Sequence, residues 1–395
     1  MKDSKKEFEP AGIEDDVIML DFEHTPGGLN CQTSAVRKLL LHYGHEISEE
    51  MFVGIASGLG FVYWFQKGMF APIVGGMNSG RFPGLVGRAI QRLGGDFTVL
   101  KSSSTKRAHQ QLKSVLKTGQ PAFVCADIAY LPHLGTSEDD HFGQHTFLVY
   151  GINEPDDIVY ISDRFDVPLT MPATQLQRAR ASKFHPFPAR NQMIQFTMPE
   201  SLPDLRRLIP KAIEENVDFM FNAPIKNLGL NGILKWREML PKYPKMINNP
   251  NWLLIGMIHH YIYIETGGSG GAIFRRIYST FLREAGELME EDHLLDASSE
   301  FEEISDVWTN IANSFLSDEY DSLAEIRKIH WTNNSDLEKK GPKALNKVKK
   351  QSDRLPSLME QAIDEAVPYF SRIIEPIRDL LAQVHDMETK ALSSL

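Results

Sequence analysis

Asn30-Cys31-Gln32-Thr33-Ser34-Ala35-Val36-Arg37-Lys38-Leu39-Leu40-Leu41-His42-Tyr43-Gly44 decides how the chain is read. From Gln32 to Tyr43, Ala35, Leu39 and Leu40 recur at helical spacing, and Gly44 stands where a helix terminator is expected. Cys31 therefore falls at a helix N-terminus, where the positive end of the dipole favours a thiolate. The chain has only two cysteines, Cys31 and Cys125. That leaves no disulfide framework and no thiolate-rich metal site, so a free thiol is the feature to explain.

Upstream, Val17-Ile18-Met19-Leu20 reads as a short strand before the loop Thr25-Pro26-Gly27-Gly28. Downstream, a second helix is expected near Ser48, then a strand at Phe61–Phe65, a helix at Leu85–Leu93 and a strand at Phe97–Leu100. A helix around Ala108–Leu116 and a buried strand at Pro121–Asp127 follow, with further strands at Thr146–Tyr150, Ile158–Ser162 and Gln192–Phe196. From about Leu205 strand signals almost vanish. Long amphipathic segments run over Leu205–Ala223, Gly229–Tyr243, Trp252–Ile264, Ala272–Glu290, Phe301–Leu316 and Leu355–Val384, with Ser299 and Glu302 as a capping box and Lys339–Lys350 as a charged connector. The 395 residues exceed what one core usually serves. The expectation is an α+β domain over 1–200 and a mainly α-helical domain over 201–395.

A formal charge of −10 disfavours nonspecific nucleic-acid binding. The polar start, Met1-Lys2-Asp3-Ser4-Lys5-Lys6, and the lack of a membrane-length apolar run give a cytoplasmic protein with no membrane span as the expectation.

Two further residues fit the chemistry of a thiol nucleophile. His145 opens the strand-like run His145-Thr146-Phe147-Leu148-Val149-Tyr150, from which an imidazole could face Cys31 as base. Asp163 ends the adjacent strand, Val159-Tyr160-Ile161-Ser162, and could accept the second imidazole N–H and fix its tautomer. The order Cys, His, Asp, with a helix behind the cysteine and strands carrying the others, is that of papain-like folds, a helix packed on an antiparallel sheet. Cys125, between Val124 and Ala126, reads as packing.

The segments Asn30–Ala35, Gly58–Tyr63, Pro121–Pro132 and His141–His145 resemble the N-terminal domain of the butirosin biosynthesis protein H family, in order over roughly residues 15 to 200. The run Gly267-Gly268-Ser269-Gly270-Gly271-Ala272-Ile273-Phe274-Arg275-Arg276-Ile277-Tyr278 resembles the helical domain of uncharacterised function that often follows it. The resemblance implies a cysteine acyltransferase of natural product biosynthesis. It would take an acyl group from an acyl carrier protein thioester, or another thioester donor, and form an amide bond with a small amine acceptor. No cofactor of its own is implied, since phosphopantetheine would come with the donor. Cys31 matches the nucleophile, His145 the histidine and Asp163 the acidic member. A cysteine peptidase or amidase on the same residues, and a noncatalytic binding protein, are the alternatives.

No glutamine stands shortly before Cys31, where papain-like peptidases place an oxyanion-hole side chain, so Asn30, Thr25 and His24 are the candidates beside the Cys31 N–H. Asp127 is a candidate for the acceptor amine, or a strand-end carboxylate satisfied by turn amides. His141 is a candidate cleft residue or a plain loop histidine. Residues four apart on a strand are separated by about 13 Å, so His141 and His145 are not expected to share a metal, and no metal is expected. Gly267–Gly271 could cradle a phosphate or form an interhelix turn. His259 and His260, in an apolar helix, receive no role. Arg81, Arg88, Arg92, Lys101, Lys106 and Arg107 could steer an acidic carrier protein or form a solvated face.

Overall fold

The computed structural model describes residues 16–66, 69–247 and 249–395; the polar segment 1–6 lies outside them. In chain order the elements are β1 (Val17–Met19), α1 (Cys31–His42), α2 (Glu49–Ile55), β2 (Leu59–Trp64), β3 (Ile73–Met77), α3 (Gly84–Arg92), β4 (Asp96–Leu100), α4 (Thr105–Lys117), β5 (Ala122–Ala126), β6 (His145–Asn153), β7 (Ile158–Ser162), β8 (Leu169–Pro172), α5 (Ala173–Ala181) and β9 (Met193–Thr197). Helices follow: α6 (Ile209–Asn222), α7 (Gly229–Met239), α8 (Tyr243–Met246), α9 (Pro250–Tyr261), α10 (Arg275–Met289), α11 (Asp292–Phe315), α12 (Asp321–Lys340), α13 (Leu345–Ser352) and α14 (Leu355–Ser393). The fold is α+β, with an antiparallel sheet and a mainly helical C-terminal region. Among the described residues no helix is long and apolar enough to cross a membrane.

Two compact units form. One comprises the described residues up to Ile47, Gly95–Glu200 and Asp336–Asn346; the other comprises Ser48–Gly94, Ser201–Ser335 and Lys347–Leu395. In this division Ser48–Gly94 groups with the helical residues and Asp336–Asn346 with the sheet.

The first unit holds a seven-stranded antiparallel sheet in the order β4-β9-β5-β6-β7-β8, with β1 pairing residues 151–153 of β6 beyond the end of β5. Gly151 allows that approach, because a Cβ there would lie 2.7 Å from the Met19 sulfur. Alternate residues of β5 and β6, among them Val124, Ala126, Phe147 and Val149, join Leu112 and Leu116 of α4 and Leu176 and Ala179 of α5 in one buried cluster. Helix α1 packs against β6. Because β6 and β7 are antiparallel neighbours with Leu148 opposite Ser162, the start of β6 and the residue after β7 share one end of the sheet. Ala126, the last residue of β5, pairs with His145, so the chain leaving β5 emerges there too.

The second unit has a two-stranded ribbon, β2-β3, among helices. At its centre the fully buried Arg275 holds Glu388 with two parallel bonds of 2.7 and 2.9 Å. Its remaining guanidinium nitrogen donates to the carbonyls of Gly60 and Ile273, while the Trp308 indole N–H reaches Glu388 at 2.8 Å. Before Arg275, five successive residues, Gly270 to Phe274, have positive φ, a geometry that costs about 1–2 kcal/mol for each non-glycine residue. Gly76 of β3 makes room for it, since a Cβ there would meet the Ile273 carbonyl oxygen at 1.9 Å.

Several expectations are corrected. The Lys339–Lys350 connector is helical, the end of α12, a 3-10 turn at Gly341–Ala344 and most of α13. Ser299 and Glu302 do not begin a helix; α11 starts at Asp292, and the Ser299 hydroxyl bonds back to the Leu295 carbonyl. β3, β8 and α5 carried no readable signal, being broken by Gly75 and Gly76, ended by Pro172, and short respectively, and in α12 the buried Leu323, Ile326 and Ile329 are outnumbered by polar residues.

The Arg275–Glu388 pair gives a stability prediction. Glu388→Ala should lower the unfolding free energy in urea by about 3–5 kcal/mol by stranding a buried charge, whereas the paired Arg275→Met and Glu388→Leu exchange should cost less.

Candidate active site

Asn30 precedes α1 with extended backbone, and its side-chain oxygen accepts from the N–H of Gln32 (2.9 Å) and Thr33 (3.4 Å), two of the orphan donors of the first turn. The cap places Cys31 at the first helical position, partly exposed. His145 stands at the start of β6 with its ring almost wholly buried, and Nε2 lies 2.7 Å from Oδ2 of Asp163. That leaves the other ring nitrogen to face Cys31, the next group after Asp163 to act on the imidazole. Asp163 is fully buried, and its Oδ1 accepts the Arg164 N–H at 2.7 Å.

The electrostatics follow from this contact. Burial raises the Cys31 thiol, but the His145 imidazole, by hydrogen bond and charge, and the Thr146 backbone together bring it below its ordinary value. Burial works against a charged His145, yet Asp163 and then Cys31 carry it up to about 10. Burial likewise opposes the Asp163 carboxylate, and His145 and His133 hold it well below the usual range. The arrangement favours a thiolate and an imidazolium backed by a carboxylate, the state in which a thiol attacks a carbonyl.

Two polar side chains at this site, His133 and Lys38, carried no sequence signal, and a third, His24, is the oxyanion candidate named above. His133, in a short 3-10 turn after β5, places Nε2 3.1 Å from the same Oδ2 of Asp163. Lys38, two turns along α1 from Cys31, is buried and donates to the Asp163 carbonyl. His24 engages both ring nitrogens, with the Ser162 hydroxyl at 2.8 Å and the Phe165 carbonyl at 3.0 Å. Burial, then Lys38, lowers His24 to about 4. Committed in this way, His24 offers no N–H to an oxyanion. In sequence, His133 sits in Leu131-Pro132-His133-Leu134-Gly135, which reads as a surface turn.

Asp127 and His141 form a separate cluster. The buried Asp127 carboxylate accepts from the Ser182 hydroxyl, His141 Nδ1 (2.9 Å) and the N–H groups of Phe142 (3.0 Å) and Ala129 (3.3 Å). His141 also stacks on Phe184 with centroids 3.5 Å apart. His141 and His145 thus answer to different carboxylates. His133, His145 and Asp163 bring three metal-capable atoms within 4.8 Å of one another, and both imidazoles are engaged by hydrogen bonds to the carboxylate.

Residues 30–164 match the family model described as Butirosin biosynthesis protein H, N-terminal. This segment is similar to that domain. It begins at Asn30, the cap behind Cys31, and ends at Arg164, whose N–H meets Asp163, so Cys31, His133, His145 and Asp163 all lie within it. Residues 174–345 match a domain of unknown function, DUF4872. That second match includes β9, which pairs with β4 and β5 of the butirosin-type segment. No curated protein matches the chain.

Other sequence candidates lie elsewhere. Cys125 is buried in β5, where burial, then the neighbouring Cys31, pushes its thiol up. Arg88 and Arg92, expected as a solvated or docking face, are part-buried. They bond the carbonyls of Ala56, Asn78 and Ile55, and Arg92 also bonds Ser57 and Glu215. In Gly267–Gly271 the N–H groups of Gly267, Gly268 and Gly271 are bonded to Ile262, Thr266 and Ser269, which favours the turn reading over a phosphate cradle. His260, within α9, bonds the Tyr243 hydroxyl at 3.1 Å.

The lowered thiol predicts selective alkylation. In the native protein iodoacetamide should label Cys31 and spare Cys125, with a rate-against-pH inflection below the ordinary thiol value of about 8.5. Asp163→Asn should move that inflection upward, because the imidazolium loses its counter-charge. The modified residue is identified by peptide mass.

Proposed function

We propose that the chain is a papain-like cysteine N-acyltransferase of natural product biosynthesis, with its catalytic residues in 1–200 and a helical companion in 201–395. The observation that carries this reading is the sequence of contacts from the capped N-terminus of α1 through Cys31 and His145 to Asp163. The Cys31 thiolate attacks the carbonyl of an acyl carrier protein thioester, a new carbon–sulfur bond forms, and the carrier thiolate leaves with a proton from His145. The acyl group stays activated as an enzyme thioester. An amine then attacks the same carbonyl, His145 takes the amine's proton, and the Cys31 thiolate is released with the amide product. Phosphopantetheine arrives on the donor. The N–H of Cys31 is one candidate donor to the oxyanion.

Support comes from burial as well as contact. Asp163 has no exposed side-chain surface, and His145 very little, so the proton-handling pair is shielded from water on the side away from the thiol. Asp127 and His141 are candidates for the acceptor side, with the Asp127 carboxylate held by Ser182, His141, Phe142 and Ala129.

The test is intact-mass spectrometry after incubation with a panel of acylated carrier proteins, followed by addition of amines. Cys31 should gain one acyl mass and lose it to the amine as amide; release to water alone would identify a hydrolase, and no mass gain with any thioester would leave a binding protein. Cys31→Ala should abolish loading, and His145→Ala should slow transfer by about 10²–10⁴-fold, as expected for loss of a general acid and base. Asp163→Asn should cost less than His145→Ala, and Cys125→Ala should keep activity.

A further inference from the structure

Two imidazoles converge on one carboxylate oxygen. We propose that His133 is a positioning residue that locks the Asp163 carboxylate in the orientation His145 requires; this inference rests on the Cys31–His145–Asp163 reading above. An ionised carboxylate only accepts, so both Nε2 atoms on Oδ2, at 2.7 Å from His145 and 3.1 Å from His133, carry the hydrogen. The other oxygen is held at 2.7 Å by the Arg164 N–H. Rotation of the carboxylate about its bond to Cβ would break the Arg164 and His133 contacts together, so Oδ2 stays aimed at His145.

His133 is itself rigid. It comes from the 3-10 turn Pro132–Leu134 and stands edge-on to Phe147 and Phe165, with ring centroids at 6.2 and 5.7 Å and interplanar angles of 90° and 88°. Its Nδ1 is buried without a hydrogen-bond partner among the described residues. For packing alone, a phenyl or isobutyl group would fill this apolar pocket without stranding a ring nitrogen. The bond to Asp163 is what the polar ring adds. The other ionisable groups near the pair are Cys31, Lys38 from α1 and His24 from the segment before it, on which Asp166 also acts; the Arg164 side chain is paired with Glu338.

The test reads the thiol and needs no acyl donor. Iodoacetamide rates at Cys31 are measured against pH in the full-length protein, in His133→Phe, which keeps a ring and removes the donor, and in His133→Gln, whose amide places an N–H near the Nε2 position. His133→Phe should shift the inflection toward the ordinary value of about 8.5 and slow labelling at pH 7 by roughly threefold or more, while His133→Gln restores most of both. A folded His133→Phe protein with the wild-type profile overturns the proposal, as does a His133→Gln protein as impaired as His133→Phe. Long-range proton–nitrogen NMR of the histidines judges it without either variant. Two protected Nε2–H signals should both move in Asp163→Asn; if only one responds, His133 does not serve the carboxylate. A wild-type Cys31 titrating near 8.5 would instead sink the nucleophile reading, leaving the NMR result to decide on His133.

Discussion

The Asp163 carboxylate has no exposed surface, and taking a carboxylate out of water costs several kcal/mol unless donors replace the lost solvent. The first unit supplies them from different parts of the chain. Arg164 contributes its own N–H, β6 brings His145, and the turn after β5 brings His133. Lys38 binds the carbonyl of the same residue from α1. The antiparallel pairing of β5, β6 and β7 makes this convergence possible, because the end of β5, the start of β6 and the end of β7 meet at one edge of the sheet. Register, and not sequence proximity, assembles the site.

That dependence explains what a single sequence could disclose. α1 was legible because its N-cap, apolar spacing and terminating glycine are all local, and β5 to β7 because their apolar runs are continuous. Cys31, His145 and Asp163 could be picked out since each sits at an element boundary that local pattern locates. His133 and Lys38 could not. A histidine in a Pro-His-Leu-Gly turn and a lysine on an amphipathic helix belong, by local rules, at the surface. Only the paired strands make a pocket for the first, and only the Asp163 carbonyl makes a partner for the second.

The helical unit uses the same physics for a different end. Arg275 and Glu388 are more than a hundred residues apart in sequence and wholly buried together, with Gly60, Ile273 and Trp308 completing the hydrogen bonds. A buried pair of this kind adds little net stability over an apolar core, but strongly penalises any arrangement that separates its members. Here it fixes the left-handed run Gly270–Phe274, through the Ile273 carbonyl, against a strand that must carry glycine at position 76. The glycine-rich segment read in the sequence as a phosphate cradle or a turn thus has a conformational reason of its own.

The two cysteines show how finely the register acts. Both thiols are desolvated, and desolvation alone raises a thiol. In the β5–β6 ladder Ala126 lies opposite His145 and Cys125 opposite Thr146, so successive residues of β5 face opposite sides of the sheet. A slip of one residue would exchange those faces and set Cys125 across from the imidazole. With the register as it stands, Cys31 alone receives the hydrogen bond and charge of His145, while Cys125 feels Cys31 chiefly as a neighbouring negative charge that disfavours its own ionisation. Ionisation at the helix N-terminus therefore opposes ionisation in the strand, adding to the burial that already raises the Cys125 thiol.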